Sequence, residues 1–95
     1  MAETATMELE SKPRLRRGVR LVRDEVRNEW TLLAPERIFT ADAVAAEVLK
    51  RCDGQATLGT ILDQLAEQFT GPRDRIEADV RHLLSGLVEK RLLEF

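Results

Sequence analysis

The apolar residues of this chain follow two different periods, and the change between them falls after Thr40. Before it, apolar and polar positions alternate. Val19 and Leu21 flank Arg20, Trp30 and Leu32 share one face of an extended segment, and Thr31 and Leu33 share the other. Ile38 and Phe39 sit at the centre of a third short run, residues 37–40. Alternation of this kind is the pattern of a half-buried strand, and Val, Ile, Trp, Thr and Phe suit a pleated surface. Two polar breaks separate the runs. Residues 24–28 end in a turn-forming asparagine, and Ala34-Pro35-Glu36 puts proline at the first central position of a tight turn. Three strands joined by two short turns predict an antiparallel meander.

After Thr40 the apolar positions recur every three or four residues. Val44, Ala45, Val48, Leu49 and Cys52 mark one face of a helix from about Asp42, which Asp53-Gly54 then stops. A second helix opens at Thr57, a good N-cap, and carries Leu58, Ile61, Leu62, Leu65 and Phe69 on one stripe. Thr70-Gly71-Pro72 breaks the chain, with proline where the first helical residue tolerates it. A third helix runs to about Lys90, its apolar face formed by Ile76, Val80, Leu83, Leu84 and Leu87. Leu92, Leu93 and Phe95 form a short apolar end expected to dock back on the domain. The expected fold is α+β and winged-helix-like: a three-stranded antiparallel meander followed by a three-helix bundle, whose stripes cover one face of the sheet. That domain occupies residues 14–95. Residues 1–13, with Glu3, Glu8 and Glu10 and no sustained period, are expected to be a flexible N-terminal tail.

Composition narrows the functions open to this fold. Ninety-five residues leave room for one domain. With one cysteine and one histidine, Cys52 and His82, the chain holds neither a Cys/His metal cluster nor an internal disulfide. The two residues sit in no nucleophile motif, and the five glycines are too scattered for a phosphate-binding loop. No catalytic residue, metal site or cofactor is therefore expected, and the chain reads as a non-enzyme. No run of 18 apolar residues predicts a membrane span, and the N-terminus lacks a secretory pattern, so the expected location is cytoplasmic.

Helices beside a small sheet suit two kinds of ligand. One is nucleic acid, the usual ligand of a winged helix. Residues 12–37 do carry eight basic side chains against four acidic ones, although the whole chain has a net charge of −2. On the third helix, however, Arg73, Arg75, Arg81 and Lys90 meet Asp74, Glu77, Asp79 and Glu89. A groove-reading helix approaches phosphates and should be net positive. The other ligand is a peptide added at the meander's edge, where an outer strand exposes unpaired backbone groups. Residues 37–40 are short, apolar at the centre, cationic at one end and free of proline, so all four amides are available to donate. The competing reading makes them an ordinary strand with Ile38 or Phe39 in the core.

Four blocks carry a resemblance that decides between these readings: RLRRGVRL (14–21), WTLLAPERIF (30–39), VLKRCDGQATLGTI (48–61) and IEADVRHLLSGLVEKRLL (76–93). Together they resemble the PqqD family of pyrroloquinoline-quinone biosynthesis, from Arg14 to Leu93, the run W-x-L-L-x-P-E followed by C-D-G being its most distinctive part. The resemblance implies a small peptide chaperone that binds the ribosomally made precursor PqqA. It would present that peptide to PqqE, a radical S-adenosylmethionine enzyme that cross-links a Glu and a Tyr within it. In this family of recognition domains the leader peptide pairs with the third strand of the meander and lies beside the third helix.

Carried onto this chain, the resemblance implies a strand of Arg37, Ile38, Phe39 and Thr40, with Arg37 meeting an acidic peptide side chain. On the helix it implies one flank of the apolar stripe: Arg75, Asp79, His82, Leu83 and Gly86. There Leu83 offers an apolar pocket and Gly86 admits a close backbone, unless Gly86 serves packing against the meander. His82 reads either as a surface residue or as a pH-sensitive contact. The opposite flank, Glu77, Arg81, Leu84 and Val88, is the alternative peptide side. One departure stands out: Arg91 occupies a position where many relatives have glycine before the terminal Leu-Leu, which argues against a left-handed helix end there. Monomer, homodimer and pre-formed complex with an enzyme all remain open at this level.

Overall fold

A computed structural model of the chain describes residues 7–95. A two-residue strand β1 (Arg14–Leu15) precedes β2 (Arg20–Asp24), β3 (Glu29–Ala34) and β4 (Arg37–Ala41). Helices α1 (Ala43–Lys50), α2 (Leu58–Gln68) and α3 (Arg73–Glu89) follow, and β5 (Leu93–Glu94) ends the fold. β2, β3 and β4 form the expected meander in that order, every pair antiparallel. Side by side across it, Leu21 pairs with Leu32 and Leu32 with Phe39, a row that packs toward the helices. The next row, Arg20, Leu33 and Ile38, lies on the opposite face, because side chains alternate along each strand. Of the two candidates in 37–40, Phe39 therefore packs against the core, whereas Ile38 is 73% exposed.

Each turn is built from its own residues. The Asp24 carboxylate accepts from the amides of Val26 and Arg27 at 3.1 Å, and Asn28 then takes a left-handed conformation, φ 58°. Asparagine tolerates that region because it lacks β-branching and can bond locally. At the second turn, Pro35 is followed by Glu36 at φ 62°, the positive φ that a type II turn needs at its second central position. Helix starts are equally local: Asp42 caps α1 through a 2.7 Å bond from Ala45 N–H, and Thr57 caps α2 through a 3.1 Å bond from Thr60 N–H.

The core sits where α2 and α3 pack together, with α1 lying against all three strands of the meander. Leu58, Ile61, Leu62, Leu65 and Leu84 are at most 1% exposed, with Leu32, Leu92 and Leu93 closing the sheet side. Cys52 belongs to this core, its thiol donating to the Val48 carbonyl at 3.3 Å. Burial pushes that thiol up to about 12, with a smaller contribution from the Asp53 carboxylate, so it carries no thiolate at neutral pH.

Two regions differ from expectation. Residues 7–13, assigned to the flexible tail, are docked along α2 and α3; residues 1–6 lie outside the described residues. Met7 and Pro13 are buried, and the carbonyls of Leu9, Ser11 and Pro13 accept from the amides of Gly59, Leu58 and Gly54 at 2.8–3.1 Å. The absence of a hydrophobic period did not reveal this, because the segment is held through backbone bonds and two scattered side chains.

The second difference is the helix end. Arg91 does adopt the left-handed conformation, φ 62°, without being glycine. Leu92 N–H reaches the Leu87 carbonyl and Arg91 N–H the Val88 carbonyl, each at 2.9 Å, the two bonds of a Schellman motif. Burial of Leu92 and Leu93, together with β5 pairing on β1, outweighs the roughly 1 kcal/mol that a side chain costs in this conformation.

Candidate functional site

β4 is an outer strand of the meander, so one of its edges is unpaired within the chain. The register determines which groups that edge offers. Ala34 and Arg37 close a two-residue hairpin, and such a closing pair exchanges both hydrogen bonds; pairs then alternate along the ladder. Arg37, Phe39 and Ala41 thus point their backbone groups at β3. Ile38 and Thr40 point theirs outward, so two amides of residues 37–40 are available, not four.

Beside this edge runs an apolar groove. Its first part, about 180 Å³, is lined by Phe39, Thr40 and Ala41 from β4, Ala45 and Leu49 from α1, and Leu83, Leu87 and Lys90 from α3. Ala45 and Leu83 continue into a second part of about 270 Å³, where Asp42, Val44, Val48, Asp79 and Val80 join. Val44, Asp79 and Val80 lead on to a third part of about 400 Å³ against Phe69, Gly71, Pro72, Arg75 and Ile76. The groove therefore follows α3 backwards, from its C-terminal end near Phe39 to its first turns near Phe69.

Helix geometry explains which residues meet there. At about 100° per residue, Ile76, Asp79, Leu83, Leu87 and Lys90 stay on one side of α3. His82, one residue from Leu83, points well away; it is exposed and lines no part of the groove. Gly86 lies at the rim, and a Cβ built on it meets nothing within 4 Å. Packing against the meander thus gives no reason for glycine at this position. Arg75 and Asp79 form a loose 3.8 Å ion pair, with both side chains more than 70% exposed. Of the expected residues, Phe39, Thr40, Arg75, Asp79 and Leu83 line the groove. Arg37 and Ile38 do not, and the Ile38 side chain lies on the opposite face of the meander, against Val22, Thr31 and Leu33.

The opposite flank of α3 is closed. Arg81 bonds the Met7 carbonyl at 2.6 Å and the Glu77 carboxylate at 2.8 Å, while Leu84 is 1% exposed. The docked segment therefore occupies the side that the sequence had left as the alternative.

Several lining residues escaped the sequence reading: Val44, Ala45, Phe69, Ile76, Leu87 and Lys90. Val44 counted as core by period, yet the structure leaves it 52% exposed. α1 itself is placed by Arg51, which bonds the Glu47 carbonyl and carboxylate and reaches Gln64 and Gln68 of α2 at 3.0 Å. Hydrogen bonds from Lys50 and then Arg51 hold the Glu47 carboxyl down to about 2. Among the described residues no group of three or more His, Cys, Asp or Glu side chains could hold a metal ion, and no helix is long and apolar enough to cross a membrane.

A strand edge beside an apolar groove has the geometry to take an extended peptide, and relatives identify the lineage of the chain. The family model described as coenzyme PQQ synthesis protein D (PqqD) matches residues 29–93. The chain belongs to the PqqD family. Its curated relatives include the "PqqA binding protein" of Xanthomonas axonopodis pv. citri, 46% identical over 88% of this chain and 91% of the relative. The "bifunctional coenzyme PQQ synthesis protein C/D" of Methylorubrum extorquens is 50% identical over 86% of this chain, but over only 22% of its own length. Among solved structures, the solution NMR structure of the PqqD truncation of Methylobacterium extorquens PqqCD matches with TM-score 0.80 and 47% identity over 97% of both chains. It is described as a functional, stand-alone recognition element for ribosomally synthesized and post-translationally modified peptides. The crystal structure of PqqD from Xanthomonas campestris matches with TM-score 0.58 and 43% identity, over 95% of this chain and all of that one. PqqD is a family of recognition elements, not of catalysts. The buried, protonated Cys52 fits that character.

Proposed function

We propose that this protein binds the precursor peptide PqqA by strand addition to β4 and delivers it to the modifying enzyme PqqE. The observation that carries the reading is the continuity between the outward-facing backbone of Ile38 and Thr40 and the groove lined by Phe39, Leu83 and Leu87. Main-chain bonds to the edge supply affinity, and alternate peptide side chains enter the groove to supply specificity. Arg37, Ile38, Phe39, Thr40, Arg75, Asp79, Leu83 and Gly86 form the contact set, with His82 at its outer margin. The adaptor contributes no chemistry of its own; it holds an otherwise disordered peptide in an extended form for a separate enzyme.

The test is a backbone-amide NMR titration with synthetic PqqA. Shifts should concentrate in residues 38–41 and around Leu83 and Leu87. Shifts confined to the Glu77 and Arg81 flank or to β1, with residues 37–41 still, would refute the site. Thr40→Pro removes an outward-facing donor and should weaken binding at least tenfold, roughly 1.4 kcal/mol or more. In a reconstituted reaction the same variant should lower the rate at which PqqE modifies PqqA.

A further inference from the structure

The groove is electrically lopsided along its length. At the end where β4 begins and α3 finishes, its charged groups are cations. Lys90 lines the groove beside Phe39, and Arg37 shares the groove-facing side of β4 with Phe39, two residues away. Both side chains are exposed, and neither belongs to an ion pair among the described residues. Glu89 is the nearest acid on α3, but it lies about 100° around the helix from Lys90 and lines no part of the groove. Glu36 stands in the turn before the strand.

At the other end, where β4 gives way to α1, the groove is lined by two carboxylates, Asp42 and Asp79. Asp42 is partly committed to the α1 cap, and Arg75 offsets Asp79 only loosely, at 3.8 Å. Between the two ends the lining is apolar: Phe39, Ala45, Val48, Leu83 and Leu87.

We infer that this asymmetry sets the register and direction of the bound peptide, with Lys90 and Arg37 together receiving a peptide carboxylate and Asp42 and Asp79 excluding one. The inference rests on the strand-addition reading and names the peptide class that fits it. The ligand is an extended segment with an acidic residue at one end, apolar residues in the middle, and a neutral or basic residue at the other. From Arg37 to Asp42 the strand covers roughly 17 Å, so the two ends read peptide positions about five residues apart. A peptide laid in the reverse direction, or slipped by two residues, brings its carboxylate away from Lys90 or toward Asp79. Each misplacement loses the attraction to Lys90, and one that reaches Asp79 adds a repulsion. Lys90 is thus a specificity-determining residue of the groove, and Asp79 is its counterweight.

The experiment is isothermal titration calorimetry of the full chain with synthetic PqqA and with PqqA variants in which single acidic residues become Gln or Lys. Lys90→Glu should weaken binding about threefold to tenfold at low salt, the range for reversing one exposed charge pair. The loss should shrink to within about twofold at 0.5 M salt. One acid-to-Lys peptide variant should restore binding to Lys90→Glu while binding the native protein more weakly. Asp79→Lys should accept a glutamate added about five positions from that acid, which the native groove rejects. If Lys90→Glu binds PqqA within twofold of the native protein at low salt, or if no charge-swapped peptide rescues it, the charge inference falls. If Thr40→Pro also leaves binding intact, strand addition falls with it; if Thr40→Pro abolishes binding, strand addition stands alone.

Discussion

The two flanks of α3 have similar inventories and opposite fates. Each carries an i,i+4 Arg–carboxylate pair and a leucine, one residue apart in sequence. On one flank Glu77 and Arg81 close to 2.8 Å, Arg81 also grips the Met7 carbonyl, and Leu84 is sealed. On the other, Arg75 and Asp79 stand 3.8 Å apart in solvent, Leu83 is half-buried, and Gly86 faces open space. What separates them is the neighbour: Met7, at the head of the docked segment, holds the first flank through Arg81, while the second faces the edge of β4. One helix therefore stabilises the domain with one side and offers a groove with the other.

That contrast predicts unequal responses to matched changes. Leu84→Ala should cost about 3 kcal/mol of stability in urea unfolding, because it empties a fully enclosed site. Leu83→Ala should cost about 1 kcal/mol and register instead as weaker PqqA binding. If the two variants lose equal stability and bind alike, the division between flanks is wrong. Next in size, Gly86→Ala should raise stability by about 1 kcal/mol, since alanine is the better helix former and its Cβ meets nothing. The same variant should weaken PqqA binding severalfold where the peptide backbone passes that rim. Unchanged binding would place the peptide nearer Leu87 and Lys90.

The smallest effect concerns the wall facing α3. Glu47 titrates at about 2 when folded against an ordinary 4.5, so the folded state binds fewer protons as pH falls between those values. The stability it contributes is complete above about pH 4.5 and is lost as the pH approaches 2. Glu47→Gln should flatten the acid limb of the stability profile in that window by less than about 1 kcal/mol, the pair being partly screened by solvent. It should also loosen α1, seen as faster amide exchange in residues 46–50.

Much of the fold was legible because its signals are local. The switch in period at Thr40, the Pro35 turn, the Asp42 and Thr57 caps and the Gly71-Pro72 break each act within a few residues, and each appears where expected. The site was legible in part. Residues 37–40 could be named as an edge, yet the number of free amides depended on the Ala34–Arg37 register. The helix residues were named by period, which put Leu83 and Asp79 on the side that lines the groove but could not show that His82 points away. Val44, Phe69 and Lys90 carried no local mark, since a groove is formed by what fails to cover it.

By itself, the sequence determined the three meander strands, the three helices and which of their faces are apolar, but not the short pairing of β1 with β5. Periodicity, turn chemistry and composition are properties of neighbouring residues. Tertiary structure decided the rest: that residues 7–13 dock on the domain with Met7 against one flank of α3, that Arg91 accepts a left-handed helix end, and that three helices leave a groove beside β4. Those outcomes depend on backbone bonds between segments far apart in the chain, and on balances of about 1 kcal/mol that only packing settles.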